Sequence, residues 1–291
     1  MSAPTGRRLR FLVARRPDGP SEIVTRTSAI LEARGFDVSS VIAEEVVQRP
    51  ERMGAEADLF LLKSYTPLSL SLAAVLERAG ARVLNPHRAC LAARDKIIAA
   101  QVLSAAGIPA PRCWVTGDLS LLAPLAEETA LVVKPHMGWR GEGVRIVRGA
   151  AELLALPPAR EPLLVQEFLP GTGVDLRVYV AGSRVFATRK PFSSSSFSVP
   201  GEPAAVSEEV RDIALRCGAA FGLGLYGLDL IETPRGPFVV DVNYFPGYKG
   251  LSDAAEAVAD HVTLYAGAED VPGAVVSPPH SAGPSWVGAA R

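Results

Sequence analysis

Two carboxylates and one amide lie on apolar, strand-like segments near the end of the sequence. Asp241 and Asn243 are two residues apart in "VVDVN", and Asp229 lies upstream in "GLDL". Side chains alternate along a strand, so Asp241 and Asn243 share one face. A three- or five-residue turn centred on Arg235 would place Asp229 opposite Asp241, with Cβ atoms roughly 5 Å apart. Oxygen ligands that converge in this way suit Mg²⁺, or Mn²⁺ in its place.

The alternative for these acids is a solvated position on an exposed face of a sheet. The flanking residues are apolar and favour a buried strand: Phe238, Val239, Val240 and Val242. A buried carboxylate is costly unless it is paired or bound to a metal. We therefore predict that the two carboxylates and the amide are metal ligands.

A lysine precedes a glycine-rich loop in "LVVKPHMGWRGEGVRIV". Lys134 ends one strand, and Gly138, Gly141 and Gly143 lie in the loop before the next. Glycines let main-chain N–H groups approach a phosphate closely, and the lysine supplies charge. The order strand–loop–strand differs from that of a Walker A loop or a Rossmann fingerprint. The segment predicts a phosphate contact, with an ordinary glycine-rich hairpin as the alternative.

Two further strands follow in "LLVQEFLPGTGVDLRVYVAG". At the end of the first, main-chain atoms could pair with an adenine edge while a nearby acid holds the ribose, or the segment is an ordinary strand end. The next strand carries Asp175 and Arg177 on one face, and Arg189 and Lys190 follow on its partner. Cations on inner strands are costly unless they meet an anion, so an anion site is predicted there.

The elements that must position these residues fall into two parts. Strand-like and helix-like segments alternate over the first hundred residues, which predicts parallel βαβ units. The predicted strands are 8–14, 36–42, 57–64 and 81–85, and the predicted helices are 21–35, 67–80 and 94–108. Strands dominate from 113 to 247, with one helix over 207–222, and a last helix is expected near 252–266. The Pro-, Gly- and Ser-rich residues 271–291 are predicted to be disordered.

The composition argues against several classes of function. The 291 residues are 48% apolar, which suffices for the cores of two domains. Thirty basic and 31 acidic residues give a net charge of −1, which argues against a nucleic-acid-binding surface. Three scattered cysteines and four scattered histidines give little support for zinc and indicate a reducing, cytoplasmic setting. We expect neither a signal peptide nor a membrane span, because the apolar runs are too short.

Taken in order, the motifs resemble those of the ATP-grasp superfamily over about residues 80–266. They are "RDK" with Lys96, "VVKP" with Lys134, the glycine loop, "VQEFL", "DLRVYV", "RK", "GLDL" and "VDVN.FPG". The segments "DLRVYVAG", "GWRGEGV" and "GLDL…VDVN" look like those of RimK-type amino-acid ligases such as the α-L-glutamate ligases. The segments "VDVNYFPGYKG" and "LLKSYTP" look like those of the inositol trisphosphate 5/6-kinases, which share the fold.

The resemblance implies an ATP-grasp fold of the α/β and α+β classes. An N-terminal pre-ATP-grasp domain with a parallel sheet would occupy residues 1–90. The ATP-grasp domain would occupy 91–270, where two α+β subdomains, about 110–165 and 166–266, clamp ATP. Relatives with this fold are often homo-oligomers, so self-association is an expectation for this chain as well.

The resemblance also implies roles for individual residues. ATP phosphates would be bound by Lys96 and Lys134. Adenine would be held by the main chain of Gln166, Glu167, Phe168 and Leu169, with Glu167 or Asp175 near the ribose. One or two Mg²⁺ ions would be held by Asp229, Asp241 and Asn243. The transferred phosphate would be faced by Arg177, Arg189 and Lys190. Acceptor contacts are predicted for Lys63 and Tyr65, at the end of a parallel strand, and for Lys249.

The leading interpretation is a ligase that joins a carboxylate to an amine on a small molecule or peptide, using ATP and Mg²⁺. An acylphosphate would form first, and ADP and phosphate would be released. The RimK-like "DLRVYVAG" strand and the near-neutral charge favour it. The alternatives are a kinase that phosphorylates a polyol such as an inositol phosphate, and a non-catalytic ATP-binding module. Tyr244 and Phe245 depart from the small residues of the ligases, and the light basic load departs from the kinases.

Overall fold

A sheet of four parallel strands, in the order β2-β1-β3-β4, begins the fold. The computed structural model describes residues 6–15, 19, 21–54, 56–138, 141–158, 161–191 and 201–268. The elements of the first sheet are β1 (Arg8–Val13), α1 (Glu22–Ala33), β2 (Asp37–Ile42), β3 (Leu59–Leu62), α2 (Pro67–Arg78) and β4 (Val83–Leu84). All four residues of β3 are buried, as expected for a central parallel strand covered on both faces. The predicted βαβ arrangement is confirmed.

Two helices connect this sheet to the rest of the chain, where one helix over 94–108 was predicted. They are α3 (His87–Arg94) and α4 (Lys96–Ala105). One helix ends and the next begins at Asp95, whose carboxylate accepts hydrogen bonds from the N–H groups of Ile97 (2.9 Å) and Ile98 (3.2 Å). An aspartate in this N-cap position favours a new helix start. The helix predicted over 94–108 is confirmed as α4 with slightly shorter ends, whereas α3 was not predicted. The cap fixes Lys96 as the first residue of α4.

The second sheet has the order β5-β8-β6-β7, and its strand pairs are antiparallel. Its elements are β5 (Cys113–Thr116), α5 (Ala123–Glu128), β6 (Leu131–Pro135), β7 (Arg145–Val147), α6 (Ala150–Leu154) and β8 (Leu163–Glu167). The short helices α5 and α6 were not predicted, because five or six residues are too few to show a helical apolar period. They cover one face of the sheet over a separate small core that includes Leu131, Val133, Leu153 and Val165.

The third sheet has the order β11-β10-β9-β12-β13. Its elements are β9 (Val174–Ala181), β10 (Arg184–Pro191), β11 (Glu202–Ala204), α7 (Glu208–Phe221), β12 (Leu225–Thr233), β13 (Gly236–Tyr244) and α8 (Ala254–Gly267). Its strands β12 and β13 form a hairpin that carries Asp229 and Asp241, the acidic hairpin. The predicted hairpin and both predicted helices are confirmed. The apolar face of this sheet belongs to the same core as the first sheet.

A buried asparagine joins the first sheet to the third. The Asn85 amide donates to the Leu225 carbonyl (2.7 Å). Its oxygen accepts from the N–H groups of Gly224 (2.8 Å) and Leu225 (3.0 Å). The Phe11 and Phe245 rings meet nearby, with centroids 6.3 Å apart. These contacts fix the start of β12, and so the acidic hairpin, against the first sheet.

The structure leaves two predictions about the organisation of the chain untested. The predicted boundary at residue 90 falls inside α3, and the division into domains stays a prediction. The predicted disordered tail, 271–291, lies outside the described residues. Within the described ranges, no helix combines the length and apolar character needed to cross a membrane.

Candidate active site

The acidic hairpin brings its three predicted ligands onto one face. Asp229 on β12 lies directly opposite Asp241 on β13, and Gly227 lies opposite Asn243. Directly opposed side chains of an antiparallel pair project from the same face. The two carboxylates are therefore neighbours, and the Asn243 amide lies on the same face two residues further along β13.

This register arises through a β-bulge and not through the predicted turn. The hairpin closes with a two-residue turn between the paired residues Thr233 and Gly236, so the predicted three- or five-residue turn is wrong. Such a turn with regular pairing would set Asp229 opposite Val240. The register instead shifts by one residue after Asp229 and passes over Val240, which returns Asp241 to the opposing position.

Each carboxylate has a cationic partner. The Arg177 guanidinium lies 3.0 Å from Asp229, and the Lys96 ammonium lies 2.9 Å from Asp241. Burial raises the pKa of Asp229 to about 6, while Arg177 lowers it and Asp241 raises it further. Desolvation therefore dominates, and a bound cation would oppose it by favouring the charged carboxylate.

The donor set fits a hard divalent cation that is shared with a phosphate. Mg²⁺ prefers oxygen ligands and usually takes one or two carboxylates together with waters and substrate phosphates. Asp229, Asp241 and the Asn243 amide supply such oxygens. Across the described residues, no three His, Cys, Asp or Glu side chains gather into one metal-binding group. Two carboxylates and one amide would leave coordination positions of Mg²⁺ for waters and phosphate oxygens.

Two lysines from different elements reach neighbouring residues of β13. Lys134, at the end of β6, donates to the Val240 carbonyl at 3.1 Å. Lys96, at the start of α4, donates to Asp241, and its own N–H donates to the His136 carbonyl at 2.9 Å. Burial lowers the pKa of Lys134, and Asp241 raises it. The predicted phosphate-binding lysines therefore converge beside the acid pair.

The glycine loop begins directly after Lys134. The Gly138 N–H donates to the Pro135 carbonyl (3.1 Å), which turns the chain, and residues 139 and 140 lie outside the described part. Gly141 and Gly143 have φ of 71° and 73°. A Cβ on Gly143 would lie 2.7 Å from Pro135 Cγ, so a side chain is excluded there by space as well as by conformation. Gly141 lines the cavity described below.

The predicted adenine-binding segment ends β8. The N–H groups of Glu167 and Phe168 donate to the carbonyls of Arg112 and Ala130, both at 2.9 Å. The fold therefore uses two main-chain donors of the segment that is predicted to hold adenine.

The side chains of this segment also have partners in the protein. The Glu167 carboxylate lies 2.9 Å from the Arg112 guanidinium. Gln166 is buried and donates to Cys113 Sγ at 3.6 Å. The Arg148 guanidinium lies over the Phe168 ring, 5.9 Å from its centroid. Gln166 thus serves packing, whereas the Glu167 carboxylate is held at the end of the strand.

Three charged residues share the acidic face of the third sheet. Arg177 lies opposite Asp229 in register, and Asp175 lies opposite both Lys190 and Ile231. Burial lowers the pKa of Lys190, and Arg177 lowers it further. Burial raises the pKa of Asp175, while Arg177 and Lys190 lower it. These residues form one charged cluster with Asp229.

Arg189 is not part of this cluster. It lies opposite Leu176, on the other face of the sheet, and its guanidinium pairs with Glu232 at 2.7 Å. Adjacent residues of a strand project to opposite faces, so Arg189 and Lys190 cannot both face one phosphate. The prediction that Arg189 faces the transferred phosphate is wrong.

A cavity of about 1070 Å³ extends from the acids to the carboxyl end of the first sheet. Its charged and aromatic lining includes Arg15, Lys63, Tyr65, Arg177, Asp241 and Lys249. The predicted acceptor residues therefore face one space with the predicted metal ligands. The ammonium of Lys63 lies 5.6 Å from the ring centroid of Tyr65 and 5.5 Å from that of Phe245.

The loop that follows β13 has a backbone that L-residues rarely adopt. Phe245 and Tyr248 have φ of 33° and 48°, and both rings are buried. The Tyr248 hydroxyl donates to the Val180 carbonyl at 2.6 Å. Strained backbone of this kind persists only where the surroundings hold it, and it clusters at functional sites. The loop carries the exposed Lys249 to the cavity wall.

Several residues that line this cavity at the carboxyl end of the first sheet were not predicted. They include Arg15, Ser21, Thr25, Ser28 and Ser40. They are expected from the rule that ligands bind beyond the carboxyl ends of parallel strands, which also predicts Lys63 and Tyr65 after β3. A second signal was composition: the sequence has five lysines, and all of them lie at this site.

Comparisons with known proteins found a family model and curated relatives that this chain resembles. A family model for the RimK-like ATP-grasp domain matches residues 93–263. A probable alpha-L-glutamate ligase from Xanthomonas oryzae is 36% identical over 212 residues, which cover 64% of this chain and 70% of the relative. One from Stenotrophomonas maltophilia is 35% identical over 211 residues, with the same two coverages.

Solved structures share the fold. A RimK domain ATP-grasp protein from Sphaerobacter thermophilus aligns with a TM-score of 0.73 and 23% identity, covering 89% of this chain and 99% of that one. The ATP-grasp ligase PsnB, complexed with minimal precursor, Mg and ADP, aligns with a TM-score of 0.64 and 21% identity, covering 89% and 96%. A D-alanine–D-alanine ligase from Bacillus anthracis, complexed with ATP, aligns with a TM-score of 0.67 and 17% identity, covering 89% of this chain and 97% of that one.

Proposed function

Because this chain belongs to the RimK-like ATP-grasp family, we propose that it joins a carboxylate to an amine, using ATP and Mg²⁺ and passing through an acylphosphate. Family membership confirms the predicted ATP-grasp fold and the predicted carbon–nitrogen ligase class. The observation that supports the proposal most is the opposed pair Asp229 and Asp241. Two lysines and Arg177 surround the pair, and it lies in the wall of a cavity that extends to the first sheet.

In the proposal, the chain holds the nucleotide through charge and main-chain contacts. Lys96 and Lys134 bind phosphate oxygens as point charges, and the glycine loop supplies N–H donors. The segment that ends at Leu169 holds adenine through its remaining main-chain groups, with Glu167 or Asp175 at the ribose. Bound Mg²⁺, held by the acid pair and Asn243, would neutralise phosphate charge.

The first chemical step needs positioning and charge neutralisation more than any covalent help from the protein. An oxygen of the acceptor carboxylate bonds to the γ-phosphorus of ATP, and the bond to the β-phosphate oxygen breaks, which gives an acylphosphate and ADP. Arg177 and Lys190 share the acidic face and would stabilise the charge on the transferred group. Arg189 has no part in this step.

In the second step the amine attacks the acyl carbon. A carbon–nitrogen bond forms, the bond from carbon to the phosphate oxygen breaks, and inorganic phosphate leaves while the amine proton passes to solvent. The acceptor would lie in the cavity near Lys63 and Lys249. The size of the cavity suits a small molecule or the end of a peptide. L-Glutamate is the first compound to test, given the names of the relatives.

The proposal is tested by measuring ADP and free phosphate together, in Mg²⁺-ATP, with pools of carboxylates, amino acids and peptides. We expect equal amounts of both products only when an acid and an amine are present, with a mass corresponding to the loss of water. The Asp241→Asn variant should lose at least about 99% of this turnover. Arg189→Met, on the opposite face, is the matched control and should retain it.

The outcomes separate the alternatives. ADP without free phosphate, appearing with a polyol, would refute amide formation. Nucleotide binding without any turnover in the pools that contain both an acid and an amine would support the non-catalytic module.

A further inference from the structure

Two tyrosines exchange hydrogen bonds between the first sheet and the end of β13. The Tyr65 hydroxyl donates to the main-chain carbonyl of Tyr244. The Tyr244 hydroxyl donates in turn to the Ser64 carbonyl at 2.8 Å. The two rings are stacked, with centroids 4.4 Å apart and planes inclined by 24°. This pair therefore fixes both the distance and the orientation between the two segments.

The carbonyl that Tyr65 holds lies beside a predicted metal ligand. Tyr244 directly follows Asn243, and Phe245 then takes its left-handed φ of 33°. The Phe245 N–H donates to the Leu225 carbonyl at 2.7 Å. One hydrogen bond on each side thus holds the point where β13 ends and the strained loop begins. Without the bond from Tyr65, that end of the strand has one fewer anchor.

The Tyr65 hydroxyl is suited to a permanent donor role. Burial raises the pKa of Tyr65 well above its ordinary value, and the nearby tyrosines and the Asp241 carboxylate raise it further. The hydroxyl therefore keeps its proton across the range in which the protein would work. Tyr244, which carries the acceptor carbonyl, is buried, and this limits competition from solvent for the bond.

We propose that Tyr65 is a positioning residue for the metal site: its hydroxyl holds the Tyr244 carbonyl and so keeps Asn243 on the face that carries Asp229 and Asp241. This assignment rests on the proposed function, because it assumes that a cation binds there. It gives Tyr65 a role different from the acceptor contact that its place after β3 predicts. Groups that orient metal ligands commonly matter almost as much as the ligands.

The test compares two tyrosine-to-phenylalanine variants by their affinity for Mn²⁺ in the presence of ADP, measured by electron paramagnetic resonance. Tyr65→Phe removes the bond to the Tyr244 carbonyl and keeps the stacked ring. We expect its Mn²⁺ affinity to fall about three- to tenfold. Tyr244→Phe removes the reciprocal bond to Ser64 and leaves the carbonyl held. Its Mn²⁺ affinity should stay within about twofold of the wild type, although both variants lose one buried hydrogen bond.

A third variant separates positioning from packing. Tyr65→Leu removes the ring as well as the hydroxyl, so positioning predicts the same loss of Mn²⁺ affinity as in Tyr65→Phe. Unchanged Mn²⁺ affinity in Tyr65→Phe, with a loss confined to Tyr65→Leu, would overturn the inference in favour of simple packing. If the wild-type protein binds no Mn²⁺ in the presence of ADP, the proposed function and this inference both fail. If all three variants bind Mn²⁺ as tightly as the wild type, only this inference fails.

Discussion

Replacing Lys96 with methionine should shift the affinities for metal and for nucleotide in opposite directions. The Lys96 ammonium donates to an oxygen of Asp241, a predicted metal ligand. It is also predicted to bind an ATP phosphate. One group therefore competes with the cation for the acid and attracts the nucleotide. Without nucleotide, Mn²⁺ should bind the variant more tightly, whereas ADP should bind it more weakly.

The size of both effects follows from the ion pair. At 2.9 Å, and with an effective dielectric constant of about 20, the attraction is about 6 kcal/mol before desolvation. The net stabilisation is smaller than this attraction, because the Lys96 and Asp241 side chains are 13% and 29% exposed, water competes for them, and their charges are partly desolvated. A charge-assisted hydrogen bond has a net value of about 1.5–3 kcal/mol, or about 10- to 150-fold in affinity. We expect roughly tenfold tighter Mn²⁺ binding and about 10- to 100-fold weaker ADP binding.

The measurements are Mn²⁺ titrations without nucleotide, by electron paramagnetic resonance, and ADP titrations at fixed Mg²⁺, by calorimetry. Arg189→Met is the matched control, because it also removes one positive charge but from the opposite face, where the partner is Glu232. Both affinities of this control should stay within about twofold of the wild type. If Lys96→Met binds Mn²⁺ no more tightly than the wild type while this control behaves as stated, the competition argument fails.

Three further outcomes are expected. Burial raises the pKa of Asp229 to about 6, and a carboxylate must lose its proton to bind a cation, so Mn²⁺ affinity should fall up to about tenfold per pH unit below that value and level off above it. Asp229→Asn should abolish this slope. Gly143→Ala forces a Cβ to within 2.7 Å of Pro135 at positive φ. It should lower the free energy of unfolding in denaturant by about 1–3 kcal/mol and weaken ADP binding. Gly117→Ala, where a Cβ meets open space, should change neither quantity. Asn85→Ala loses three hydrogen bonds to β12, and should cost about 3 kcal/mol and lower Tm by about 6–12 °C in a thermal melt.

The acid pair shows what strand periodicity can and cannot predict. Alternation correctly placed Asp241 and Asn243 on one face, because apolar neighbours on both sides made the strand recognisable. The opposition of Asp229 and Asp241 was also correct, but through the wrong local structure. A bulge at Val240 has no distinctive residue type, and only the energy of the whole hairpin decides between a bulge and a longer turn.

The other features that were not predicted depend on local interactions and tertiary contacts that the amino-acid composition does not reveal. Asp95 is compatible with a helix interior, yet its carboxylate caps α4, so the helix predicted over 94–108 begins at Lys96. The helix before it, α3, was not predicted. Arg189 was assigned to the transferred phosphate together with Lys190 through the motif "RK", although adjacent side chains of a strand project to opposite faces. The cavity lining from the first sheet required the approach of two sheets, which depends on tertiary contacts such as those of Asn85.

The placement of every lysine at one site has a consequence for chemical labelling. All basic side chains elsewhere in the sequence, histidines aside, are arginines, which amine-acylating reagents leave unmodified. Apart from the N-terminus, such a reagent therefore meets only amines of the site, and mass spectrometry of the labelled protein becomes an occupancy footprint. The exposed Lys249 should react early and the buried Lys190 late, so a ligand that covers Lys249 would show as a loss of the early label.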